Sequence, residues 1–158
     1  KPMPYDITLY PDLSLAHFRF FGKMSISDAK QAFLDYVALP GFDPAHVMLS
    51  DARNVTGIDA TFLGILGNIY GLAAPLRKFD RGALSVVLVS DDVSFGMVRM
   101  LEQVLDMTSR IKIRAVWSEA EALSLAGVGG ASISGYLQGA RISAHAASGG
   151  GPIFVNSG

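Results

Sequence analysis

The sequence predicts a single α/β domain over residues Tyr5 to Ala126, with a mixed sheet of four to five strands and the order β-β-α-β-α-β-α-β-α. Three observations carry that prediction. Leu84 to Val89 is apolar at five of six positions, as a parallel strand covered on both faces requires. Apolar residues recur at helical spacing in the stretches between the strand-like runs. Each later strand is reached through one of those helices, which demands right-handed crossovers and parallel pairing.

Taken in order, Tyr5 to Tyr10 and Leu13 to Phe21 are β-rich runs separated by Pro11-Asp12, a turn signal that suggests an antiparallel pair. Ser27 to Leu39 follows as a helix, with Ala29, Phe33, Tyr36 and Val37 at helical spacing. Ser25 or Ser27 is placed to cap it, and Pro40-Gly41 to stop it. His46 to Ser50 reads as a short strand. Thr61 to Leu76 is a second helix, whose apolar face carries Ile65, Leu66, Ile69, Leu72, Ala73 and Leu76. Ser94 to Ser109 is a third, with Val98, Leu101 and Leu105 inward and Arg110 near its negative end. Ile113 to Trp117 is the last strand. Ser118-Glu119-Ala120-Glu121 has the spacing of a capping box and opens a short helix that Gly127 ends.

Composition sets the limits on function. With half of the residues hydrophobic and 17% charged, the chain can fill a core, so disorder throughout is excluded. A formal charge of −1 offers no electrostatic footprint for nucleic acid or an acidic membrane. The absence of cysteine removes disulfides, thiolate metal sites and cysteine nucleophiles, and fits a reducing, cytoplasmic home. No run of 18 apolar residues is present to span a bilayer, and Lys1-Pro2-Met3-Pro4 lacks the apolar run of a signal peptide. From Gly127 to Gly158 lie nine of the 17 glycines, with Arg141 as the only formal charge. That segment, residues 127–158, reads as a Gly/Ala/Ser-rich tail, although Ile133 to Leu137 and Ile153 to Val155 are able to dock as short strands.

One segment resembles a known family. Val47 to Leu66 reads as an apolar strand, a short loop with Asp51 and Arg53, and then Asp59-Ala60-Thr61-Phe62-Leu63-Gly64 opening a helix. This resembles the signature of STAS domains, the SpoIIAA-like family of anti-sigma factor antagonists, in which Asp-Ser-Ser-Gly-Leu-Gly stands at that place. Asp91 to Met100, which includes Phe95 and Arg99, is similar to a segment of uncharacterised bacterial SpoIIAA-like proteins. The resemblance covers most of Tyr5 to Ala126. It implies a non-catalytic regulatory or protein-interaction module, switched by phosphorylation at the helix start. The partner-binding or switch residues are then Asp59, Thr61, Phe62 and Gly64, with Asp51, Arg53, Phe95 and Arg99 as accessories. The family's first Ser is Ala60 here and its Gly is Phe62, so Thr61 alone keeps a hydroxyl. In purely physical terms, Asp59 is a candidate N-cap and Thr61 a first-turn residue close to free amides.

Other constellations are weaker. Asp51, Asp91 and Asp92 fall at strand C-termini, where Mg²⁺ sits in receiver domains, but the lysine and acidic pair such a site needs are absent. Asp91 and Asp92 read better as caps of the third helix. No Gly-x-Gly-x-x-Gly turn, phosphate loop or nucleophile elbow occurs, and His17, His46 and His145 are scattered. No metal or other cofactor is called for, and neither is catalysis. Two classes of function remain: a module that binds another protein, a second copy included, and a carrier or sensor of a small apolar or lipid-like ligand. The second follows from a core rich in Met, Phe and Leu, and the resemblance adds to it, since SpoIIAA-like folds are likened to lipid-transfer domains of SEC14 type. A solid core with an exposed patch favours the first, and a deep apolar cavity the second.

Overall fold

In the computed structural model, residues 4–59, 61, 64–65, 67–68, 71, 73–79, 82–108, 111–128, 133, 140–145 and 153–156 are described. The strands are β1 (Tyr5–Tyr10), β2 (Leu15–Ser25), β3 (Val47–Asp59), β4 (Ala83–Leu88), β5 (Ile111–Val116), β6 (Ala140–His145) and β7 (Ile153–Asn156). The helices are α1 (Ile26–Val37), α2 (Ala73–Leu76), α3 (Asp92–Thr108) and α4 (Glu119–Leu125). The sheet runs β5-β4-β3-β2-β1-β6-β7. From β2 to β5 the neighbours are parallel; β1 pairs antiparallel with β2 and β6, and β6 with β7. β4 lies between β3 and β5, the interior place that its apolar run predicts.

Local chemistry accounts for the helix ends. Ser25 Oγ accepts from the Asp28 amide while Asp28 accepts from the Ser25 amide, a closed capping box at the start of α1. Asp91 accepts from both the amide and the hydroxyl of Ser94, at 2.7 and 3.0 Å, and so caps α3. Ser118 caps α4 through the Glu121 amide. At the other end of α4, Gly127 has φ of +77°, with the Gly127 and Val128 amides donating to Ser124 and Leu123. That paired closure needs a left-handed residue, which is why a glycine stands there.

Three sequence expectations change. The third strand does not stop at Ser50 but continues to Asp59, because β2 extends alongside it as far as Ser25. Two register shifts, between Arg19 and Phe21 and between Gly22 and Lys23, each place an extra residue in β3. These bulges turn the strand locally, and Gly22, with φ of +72°, takes up the bend. The five strands β1 to β5 form the expected mixed sheet, and β6 and β7 extend it to seven. Part of the segment read as a tail supplies β6 and β7, with Asp6 opposite His145 and Leu9 opposite Ile142. Strand β1 has otherwise an open row of amides and carbonyls, and β6 satisfies it. Ile133, from the same segment, is buried. Finally, Thr61 and not Asp59 caps the start of the second helix. Of that helix, Gly64, Ile65, Gly67, Asn68 and α2 are seen, with Ile65 and Leu76 buried; Phe62, Leu66, Ile69 and Leu72 lie outside the described residues, as does Arg110.

Strand alternation divides the core between the two sheet faces. On one face Leu15, Leu49, Val86, Leu88 and Val116 pack against Ala122 and Leu123 of α4 and against Ile133. The other face carries Ile7, Leu9, Phe18 and Met48 under α1, with Phe18, Tyr36, Phe42 and Phe79 in edge and tilted ring contacts. The Tyr5 hydroxyl donates to Asp35 of α1.

Candidate functional site

The second face is incompletely filled. A cavity of about 220 Å³ lies between the sheet and helices α1 and α3. Its floor is Phe18 and Phe20 of β2, Met48, Ser50 and Ala52 of β3, and Ser85 and Val87 of β4. Its walls include Ile26, Ala29 and Phe33 of α1 and Met97, Leu101 and Leu105 of α3. Interiors ordinarily pack without voids much larger than a water molecule. Here small side chains meet across the layer: Ala29 from the helix side, with Ser50, Ala52 and Ser85 from the sheet. None reaches far enough to close the gap.

The bulges in β3 shape the same cavity. Met48, Ser50 and Ala52 face it by ordinary alternation, and Val55 and Ile58 also line it, at spacings of three. An unbroken strand would send one of each such pair to the opposite face, so the extra residues re-aim the second half of β3 inward. Three of the six polar side chains on the described lining are already engaged. Ser25 caps α1, Ser94 donates to Asp91, and Asn68 Nδ2 donates to the Gly64 carbonyl at 2.8 Å. Lys30 is the one charged residue of the lining among the described residues.

The residues singled out in the sequence divide into two groups. Asp59 ends β3 opposite Ser25 and is exposed; it does not cap the second helix. Thr61 takes that role, with its carbonyl accepting from the Ile65 amide at 2.9 Å and its Oγ1 from the Gly64 amide at 3.0 Å. The reason is the length of β3: extended backbone continues through Asp59, so the helix starts two residues later than that carboxylate requires. Gly64 is closely fitted, since a Cβ there would stand 3.1 Å from Thr61 Oγ1 and 3.9 Å from Ile26 Cγ2. Gly64 therefore sits close to Ile26, which lines the cavity. Phe62 lies outside the described residues.

The accessory residues are elsewhere. Asp51 and Arg53 alternate with Ser50 and Ala52, so they project from the face opposite the cavity. Arg53 Nε and Nη2 donate to the two Asp51 oxygens at 3.0 and 2.8 Å, and Nη2 also reaches Glu119 of α4 at 3.1 Å. Burial pushes the Asp51 carboxyl upward, but the hydrogen bonds and charge of Arg53 outweigh it and hold the group below its usual range. The pair ties β3 to α4. Phe95 stacks on Trp117 at 5.1 Å, and Arg99 pairs with Glu102 at 2.8 Å. Asp91 is occupied as a cap. Among the described residues no three His, Cys, Asp or Glu side chains stand together as metal ligands, and no helix is long and apolar enough to cross a membrane.

Among solved structures, the chain is similar to an uncharacterized protein of the DUF3478 family with a SpoIIAA-like fold from Shewanella loihica PV-4. Identity is 18%, the TM-score is 0.45, and the match covers 70% of this chain and 82% of that one. No protein-family model and no curated protein matches.

Sequence reasoning gave no site role to Met24, Ile26, Ala29, Lys30, Ala52 and Ser85 of the cavity lining. The one available signal was the placement of small residues at inward positions, Ala29 and Ser85 among them, between large apolar neighbours.

Proposed function

We propose that this domain is a non-catalytic binding module that takes a small apolar molecule, or the apolar part of a larger one, between its sheet and helices α1 and α3. The observation that carries this reading is the cavity, about 220 Å³ and lined mainly by Met, Phe, Leu, Ile and Val side chains. An apolar cavity of roughly 150 Å³ already stays dry and accepts benzene. Burying a ligand here recovers the contacts that the lining otherwise lacks. The Ser25 and Ser94 hydroxyls are engaged at helix starts, and the described lining residues include no carboxylate or imidazole to serve as a base. The test is calorimetric titration of the purified protein with 1-octanol, alongside the variant Ala29→Leu. Saturable binding that the variant abolishes supports the reading, and no heat with either protein refutes it.

A second reading rests on Thr61, which is exposed at the helix start with its hydroxyl beside the Gly64 amide. A phosphate there gains from the helix N-terminus and adds a charge of about −1.5 to −2, enough to repel an acidic or apolar protein partner. This is the regulatory function that the STAS resemblance implies. Intact-mass and peptide mapping of protein from its source cells tests it: a phosphate on Thr61 supports a switch, and unmodified Thr61 under all growth conditions removes it.

A further inference from the structure

Resting on the ligand-binding reading above, we infer that the ligand is a single-chain amphiphile with one carboxylate, its chain in the cavity and its head group on Lys30. Lys30 projects from α1 into the lining, beside Ile26, Ala29 and Phe33. Its ammonium stands over the backbone of Gly71: a Cβ on that residue would lie 2.7 Å from Lys30 Nζ and 3.4 Å from Cε. Gly71 is exposed and Lys30 is half-buried, so the charge sits where the cavity meets solvent. No ion pair engages Lys30 among the described residues, whereas Arg19, Arg53, Arg99 and Arg114 each have a carboxylate partner.

A lone ammonium at the mouth of an apolar space selects for charge and shape together. The methylene stem of Lys30 packs along the apolar wall while its head stays wet. A neutral apolar ligand gains only from burial. A carboxylate adds a charge-assisted hydrogen bond to Nζ, the stronger kind. One cation balances one negative charge. A phosphate monoester brings a second charge that nothing described on the lining offsets, and desolvating it is costly.

The experiment compares octanoate with 1-octanol, which share a chain and differ in the head, by calorimetric titration at neutral pH. Octanoate is expected to bind at least about fivefold more tightly than 1-octanol, a modest ratio because the ammonium is partly solvated. Lys30→Met should remove that preference, lowering octanoate affinity by several times more than it changes 1-octanol affinity, and Lys30→Arg should restore it. Gly71→Ala keeps the charge but displaces the ammonium, and should reduce the preference without touching 1-octanol. Equal binding of the two ligands to the parent, or an equal loss of both in Lys30→Met, overturns the head-group assignment and leaves the apolar-ligand reading intact. Absence of binding by either ligand overturns both.

Discussion

Replacing Ala29 by Leu places three more carbon atoms in the space between α1 and the sheet. Each buried methylene contributes about 0.8 kcal/mol, so the ceiling is about 2.4 kcal/mol. Ordering the longer side chain costs roughly 0.5–1 kcal/mol, leaving a gain of about 1.5 kcal/mol. Ala and Leu are both strong helix formers, so α1 itself is not disturbed. For a domain of this size each kcal/mol moves the melting temperature by about 2–4 °C, and the expected rise is about 3–6 °C. The opposite case is equally definite: in a filled core the same substitution overpacks and costs about 1–3 kcal/mol. Differential scanning calorimetry of parent and variant therefore reads a sign as well as a size. The variant should also lose its response to 1-octanol, since the side chain now occupies the ligand's place. A lower melting temperature together with undiminished 1-octanol binding would refute the reasoning about the cavity.

Two further outcomes are expected. His17 lies between Thr8 and Leu49 on neighbouring strands, with its Nε2 buried and without a hydrogen-bond partner among the described residues; burial, with a lesser contribution from Arg19 and Arg53, lowers its pKa against the opposing pull of Asp51. The unfolded chain, in which a histidine titrates near about 6.5, therefore holds the extra proton more readily, and stability falls as pH drops below that value. Urea unfolding between pH 7 and 5 should show this slope, and His17→Leu should make it shallower; an unchanged slope would remove His17 as its source. Composition alone implies that ending the chain after Gly127 moves the melting temperature by only a few degrees. With Ile133 buried and β6 covering β1, the loss should instead be about 5 °C or more, with concentration-dependent self-association through the opened edge of β1. Scanning calorimetry and light scattering at several concentrations check it, and a monomer of unchanged melting temperature would show that the added strands contribute nothing.

Wherever the controlling interaction is local, the sequence by itself determined the outcome. Ser25, Asp91 and Ser118 stand within three residues of the amides they cap, and the order of strands and helices follows from side-chain periodicity. The unbroken apolar run of β4 implied cover on both faces, hence its interior place. The tertiary structure alone decided the rest. Asp59 stands just before an apolar-periodic run, the place of an N-cap, and only pairing with β2 carries extended backbone through it and hands the cap to Thr61. Glycine-rich composition hid β6, because the hydrogen bonds that hold it depend on the edge that β1 offers, whereas the apolar run Ile153 to Val155 marked the place of β7, which pairs with β6. The cavity is the clearest case. It exists because Ala29, Ala52 and Ser85, far apart in the chain, meet with side chains too short to touch across the layer, and the space between two elements is a property of neither sequence taken alone.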